Sequence, residues 1–342
     1  MVKLSEFLAK KNFSILLISI GKNFYKQRLK RNNCDIIELD NKRALFSIFK
    51  IRRLLINESE KKYKKLIFIS NIHYGNIIAI LSSIFIKNFK LILTERSSLS
   101  ELKNDSSFKN KIIYFMAKNL YKFSNLIIAN SKFEEKYINK NFKLKNVISI
   151  HPPSINKINL KIKKKTNKNF LRIIFVGRLS KEKGLNTILS ALSKIKQKIN
   201  FKFLIYGNGP EKNNILNLIK IFDLKKYVEL RGYEKNKNQI FKNADLFINA
   251  SHFEGLPNAM VQAINFNVFP ICSNAPGGNM EVINFGEFGL FFKLNDERDL
   301  EKKIIKFYNS NLSHNPRKKI KHLEKFTEKQ SFKKYLEVLS KV

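Results

Sequence analysis

FVGRLSKEKGLNTIL, residues 175–189, reads as the end of a strand, a glycine turn, two cations five residues apart and the start of a helix. Arg178 and Lys183 thus stand beside a helix N-terminus, where free backbone N–H groups and the helix dipole both favour an anion. A diphosphate fits that combination, because a guanidinium can grip it through two hydrogen bonds. Taken alone, the same pattern also describes a surface turn with solvated charges.

Outward from this turn, strands and helices alternate. Continuous β-branched or Leu-rich runs fall at Leu171–Val176, Phe203–Tyr206, Tyr227–Leu230, Leu246–Asn249 and Phe269–Cys272, with a helix expected over Leu185–Lys198. The first half repeats the rhythm at Ser14–Ser19, Leu66–Ser70, Leu91–Thr94, Leu126–Ala129 and Val147–Ile150, with helical stretches at Asn76–Ile86 and Asn110–Lys122. Strands buried on both faces need such runs, and strand–helix alternation builds a parallel sheet. Between the halves, HPPSINKINLKIKKKTNKN (151–169) carries two prolines, many lysines and little periodicity, the marks of a linker. The sequence therefore predicts an α/β protein of two Rossmann-like domains facing a cleft. The first covers residues 1–155, a linker 156–170 and the second domain 171–325. A C-terminal helix over 326–342 is expected to pack back on the first domain, within a basic tail, Glu301–Lys341, read as helical throughout.

Two more loops in the second half follow strands. ADLFINASHFEGLPNAMVQAI (244–264) places Glu254 on a short loop before Gly255-Leu256-Pro257 and a helix starting near Asn258. Proline in a first turn suits a helix start, a carboxylate there can bind sugar hydroxyls, and the adjacent amides can bind phosphate oxygens. The bland alternative is a capping glutamate. SNAPGGNMEVI (273–283) offers Gly277 and Gly278, where backbone could approach a ligand closely.

Composition narrows the class. With 342 residues, 44% hydrophobic and 27% charged, the chain has the balance of a folded protein of two domains. Cys34 and Cys272 stand alone, without metal-ligand spacing, which favours a reducing compartment. No apolar run is long enough to span a bilayer, and MVKLSEFLAKKN does not read as a signal peptide, so a cytoplasmic location is expected. Lys+Arg outnumber Asp+Glu by 66 to 27, giving +39. Codon bias toward Lys, Ile, Asn and Phe can inflate that excess; beyond it, the charge suits an anionic membrane surface and a peripheral association. No module with interleaved aromatics supports specific nucleic-acid binding. No DxD pair, Walker GKS/T, GxSxG or histidine ligand spacing occurs, so no metal site is expected.

GRLSKEKG, YGNGPE (206–211), ADLFINASHFEGLPNAMVQA and APGGNMEVI stand in the order found in retaining glycosyltransferases of family 4, which this chain resembles closely over roughly 171–295. ISNIHYGNIIAILSS (69–83), LTERSS (93–98) and NLIIANSKFEEKYI (125–138) resemble that family's acceptor-side domain more weakly. The resemblance implies a GT-B fold, no cofactor, and a nucleotide-diphosphate sugar donor, a UDP-sugar being favoured. It implies transfer to a glycan or lipid-linked acceptor in envelope polysaccharide or lipopolysaccharide assembly, with retention. Arg178 and Lys183 would hold the diphosphate, and Glu254 would contact the sugar. Gly177, Gly207, Gly209, Gly255, Leu256, Pro257, Asn258, Gln262, Gly277 and Gly278 would complete the donor site. His73, Glu95 and Arg96, each just after a strand of the first domain, are the acceptor-side candidates.

Three departures set this chain apart. Gln262 stands where the family has the second carboxylate of a glutamate pair, the one that binds ribose. NFNVF (265–269) lacks the usual Gly and Pro. The family's first strand and Gly-rich loop have no counterpart before the expected helix Val2–Lys10, which predicts an open sheet position. These departures motivate the competing reading, a catalytically impaired homologue that keeps the nucleotide site as a binding or partner protein.

Overall fold

The computed structural model describes the chain except residues 22–26, 28, 30–31, 33, 40–43, 62, 105–106, 161–169, 311 and 314. It divides into two compact units, Met1–Ile150 with Ser331–Val342, and His151–Gln330. Most of the basic stretch within the expected linker, 161–169, lies outside the described residues.

In the first unit, α1 (Val2–Ala9) leads to β1 (Ile15–Ser19), β2 (Cys34–Glu38), α2 (Ser47–Ser59), β3 (Ile67–Asn71), α3 (His73–Ser83) and β4 (Lys90–Glu95). Then come α4 (Leu99–Asn104), α5 (Phe108–Leu120), β5 (Leu126–Ala129), α6 (Lys132–Phe142) and β6 (Val147–Ser149). Every strand pair is parallel, yet the strands form two sheets, β1-β2 and β3-β4-β5-β6. Among the described residues β1 pairs only with β2, and β3 only with β4, so each keeps an open edge. The apolar layers are nevertheless shared. Ile18 and Ile37 meet Phe68 beneath Ile51, Leu55 and Ile78, while Ile15, Ile67 and Ile69 lie against Leu4, Leu8, Phe332, Tyr335 and Leu339.

The second unit holds β7 (Leu171–Val176), α7 (Leu185–Ile195), β8 (Phe201–Tyr206), α8 (Lys212–Ile221), β9 (Val228–Gly232), α9 (Lys237–Phe241) and β10 (Leu246–Asn249). α10 (Asn258–Asn265), β11 (Phe269–Ser273), α11 (Asn279–Val282), β12 (Leu290–Phe292), α12 (Glu297–Asn309) and α13 (Pro316–Leu323) follow, and α14 (Glu328–Lys341) ends the chain. One parallel sheet has the order β12-β11-β10-β7-β8-β9. The chain runs outward from β7 to β9, then returns to place β10 on the other flank of β7, with Leu246 opposite Ile173. This reversal opens a crevice at the C-terminal ends of β7 and β10, where ligands of doubly wound sheets bind.

The tail read as helical from Glu301 to Lys341 is three helices. Asn315 caps α13 by accepting from the Lys318 amide at 3.1 Å, with Pro316 in the first turn, and Pro316 cannot continue a preceding helix. A 3₁₀ turn over Glu324–Phe326 and extended Thr327 separate α13 from α14.

Candidate active site

Four loops meet at the C-terminal ends of β7, β8, β10 and β11, tied by their backbones. The amides of Gly177 and Leu179 donate to Tyr206 and Asn208, and that of Glu211 back to Leu179. The His252 amide donates to Glu182, that of Glu254 to Pro276 and that of Gly278 to Glu254. Glycine permits this stitching. A Cβ on Gly207 (φ +144°) would stand 1.8 Å from the Gly177 carbonyl oxygen, and one on Gly277 (φ +127°) 1.7 Å from that of Glu254. Gly209 similarly abuts the Leu179 carbonyl. The close approach expected of Gly277 is thus in the first place an approach of loop to loop, and the same holds at Gly207 and Gly209.

Side chains complete the crevice. Lys183 Nζ, in the turn before α7, lies 2.8 Å from Glu254 Oε1, which also accepts from Ser251 Oγ at 2.8 Å. Both groups are partly buried, at 21% and 16% side-chain exposure, so water screens the pair incompletely. Arg178 is exposed, and its guanidinium makes no ion pair among the described residues. Gly255 adjoins this pair, Pro257 immediately precedes α10, and Asn258 begins it. Leu256 turns its side chain into the core, leaving only its backbone for a ligand.

Gln262 was expected to face the donor. Its Nε2 instead donates to the Ser154 carbonyl at 3.0 Å, and Ser154 Oγ donates to Asn258 Oδ1 at 2.6 Å. α10 is thereby strapped to residues 154–159, since Asn265 also bonds Lys157 and Asn159. His151 Nε2 lies 2.6 Å from Glu281 Oε1 on α11, just beyond Gly277 and Gly278. Sequence reasoning missed Ser154, Ser251, His151 and Glu281. Only Ser251, three residues before Glu254, has a local signal.

In the first unit His73 and Glu95 come together, whereas the Arg96 guanidinium donates to Tyr335 Oη at 3.5 Å. His73, at the start of α3, places Nδ1 3.6 Å from Glu95 Oε1. Glu95 itself is fully buried, and its Oε2 accepts from Tyr121 Oη at 2.7 Å and Asn76 Nδ2 at 3.4 Å. Glu95, read as an acceptor-side candidate just after a strand, is the last residue of β4, and hydrogen-bond donors from α3 and the turn after α5 draw its carboxylate inward. Behind it lies a second buried carboxylate, Glu134, whose Oε1 accepts from the Leu99 amide at 2.8 Å. Burial, opposed by that bond and reinforced by Glu95, pushes the Glu134 carboxyl up to about 8. Among the described residues no group of three His, Cys, Asp or Glu is placed to hold a metal ion.

Two units of parallel α/β build, one of them doubly wound with a crevice at its switch point, have the architecture of the GT-B glycosyltransferase fold. Residues 156–328, just over half of the chain, match the family model described as glycosyl transferases group 1, and the chain belongs to that family. It is 27% identical over 285 residues to an uncharacterized glycosyltransferase of Methanocaldococcus jannaschii, covering 78% of this chain and 70% of that one. It is 26% identical over 228 residues, 66% of this chain and 62% of the relative, to a Campylobacter jejuni enzyme. That enzyme's name is N-acetylgalactosamine-N,N'-diacetylbacillosaminyl-diphospho-undecaprenol 4-alpha-N-acetylgalactosaminyltransferase. Anabaena HepE, solved in complex with UDP, shares the fold with a TM-score of 0.78, at 15% identity over 100% of this chain and 95% of its own.

Proposed function

We propose that this glycosyltransferase moves a hexosyl group from a UDP-sugar to a glycan or lipid-linked acceptor of envelope polysaccharide or lipopolysaccharide assembly, with retention and without a metal ion. The observation that carries the proposal is the switch-point crevice, where Arg178, the Lys183–Glu254 pair and the start of α10 converge. UDP in HepE and the diphospho-undecaprenol in the Campylobacter enzyme's name support the donor and acceptor classes. Work on membrane-linked acceptors fits a cytoplasmic protein held at the membrane's inner face.

Breaking the sugar–phosphate bond puts negative charge on the leaving diphosphate and positive charge on the sugar ring. Arg178 neutralises the first, helped by Lys183 and the amides of Gly255, Leu256 and Asn258. Preorganised donors of this kind are worth about 3–4 kcal/mol each. Glu254 positions the sugar and favours its cationic character. Its Oε1 is committed to Lys183 and Ser251, and Oε2 is the oxygen offered to a hydroxyl. In the first unit His73 and Arg96 serve the acceptor, with Glu95 orienting the histidine from behind.

Calorimetric titration of UDP into the protein tests the reading. Binding unchanged by EDTA, together with turnover of a UDP-sugar, is the expected result. Affinity lost in EDTA and restored by magnesium would overturn the metal-independent scheme.

A further inference from the structure

α5 presents two opposed faces. At 100° per residue, Ile113 and Ala117 point into the core with Tyr121. The opposite arc carries Phe108, Ile112 and Phe115, of which Phe108 is 78% and Phe115 67% exposed. Lysines flank this arc, Lys109 on one side and Lys111 and Lys118 on the other, all exposed. Just past the helix, Lys122 sits 5.3 Å from the Phe123 ring centroid, and Phe123 is 60% exposed. Phe123 in turn lines an apolar cavity of about 530 Å³ shared with Ile84, Phe85, Ile86 and Phe89, and Phe85 is 94% exposed. An outward apolar stripe running to an apolar cavity is unusual for a helix whose other face already serves the core.

The charge pattern names the occupant. Between Asp105 and Glu134 the sequence contains five lysines and no acidic residue. A partner protein's apolar groove would not require that bias. An anionic lipid surface does, since it takes up aromatic side chains at the headgroup boundary and attracts the flanking ammonium groups. We propose that the outward face of α5, continued by Phe123 and Phe85, docks on an anionic lipid bilayer. This docking rests on the membrane-face location proposed above, while UDP binding and turnover, read without vesicles, test the donor site separately.

The full chain contains no tryptophan, so one introduced residue reports alone. Phe115→Trp should show a blue-shifted emission, quenched by brominated acyl chains, when mixed with phosphatidylglycerol–phosphatidylcholine vesicles. Ile221→Trp, at an exposed position ending α8, should not shift under the same conditions. Lys111→Gln with Lys118→Gln should weaken vesicle sedimentation roughly fivefold per lysine, and high salt should do the same. Phe108→Ser with Phe115→Ser should weaken it about tenfold or more. All these positions are exposed, and circular dichroism checks that the variants fold. Unshifted Phe115→Trp emission on vesicles that do sediment the protein would overturn the assignment to α5. No sedimentation, or equal sedimentation with phosphatidylcholine alone, would overturn the anionic surface. A blue shift that follows protein concentration without lipid would assign the face to a second copy instead.

Discussion

Lys183 Nζ and Glu254 Oε1, separated by 71 residues in the chain, stand 2.8 Å apart because β7 and β10 are neighbours in the sheet. The carboxylate therefore does two jobs in the proposed site, holding the sugar and compensating the nearer cation. Glu254→Gln keeps the shape and removes the charge, leaving Lys183 unpaired beside the diphosphate position. The expected outcome is loss of transfer with UDP affinity unchanged or raised, read by turnover and calorimetry. A fall in UDP affinity as large as that caused by losing Arg178 would show that Glu254 meets the nucleotide, not the sugar.

Arg178 differs from Lys183 in having no acidic partner among the described residues, so its charge is available in full. Arg178→Ala should lower turnover by roughly a hundredfold or more and also weaken UDP. Arg178→Lys should recover only part of the loss, because an ammonium lacks the guanidinium's two-pronged geometry. Unaltered transfer in Arg178→Ala would place the reaction outside this crevice.

How far the sequence could carry these conclusions depends on the range of each interaction. Nearly all strands of the central sheets were legible, because strands buried on both faces, such as Leu171–Val176, need unbroken apolar runs. β2 was not, since Asp35 and Glu38 interrupt a short strand at a sheet end, and β12 has only three residues. The site loops were legible through glycine, proline and charge in fixed order. The pairing of Lys183 with Glu254 was not, because it follows from sheet order, which no local pattern encodes. The bond made by Gln262 was hidden for the same reason: its partner, Ser154, is 108 residues away.

That partner gives Gln262 a use no carboxylate could serve. Its Nε2 donates to a carbonyl, and a glutamate there would set two acceptors 3.0 Å apart. Gln262→Glu should therefore destabilise the protein by about 1–3 kcal/mol, the cost of an unpaired or opposed buried polar group. UDP affinity should not rise, although the substitution restores the family's carboxylate. Tighter UDP binding at unchanged melting temperature would return Gln262 to the ribose.

Glu134 supplies a pH test confined to the first unit. Its folded carboxyl titrates near 8 against an ordinary 4.5, mainly because burial disfavours the anion. Between those values the unfolded chain has released a proton that the folded chain retains, so stability falls as pH rises from about 4.5 to 8 and then levels. In the second unit His322 has the opposite sign. Held between Phe288 and Phe326 and bonded to the Val282 carbonyl, it is pushed down to about 4, chiefly by burial. Stability there is lost as pH falls from 6.5 towards 4, because only the unfolded imidazole takes up the proton. Glu134→Gln keeps an acceptor for the Leu99 amide and removes the titrating group. Thermal unfolding of this variant between pH 4 and 9 should show the acid limb unchanged and the alkaline decline flattened, with a gain on the order of 1–3 kcal/mol at pH 8. An alkaline decline as steep as the wild type's would mean that Glu134 is already ionised in the fold, compensated by a cation not seen beside it. Loss of the acid limb as well would mean that the two units do not titrate separately.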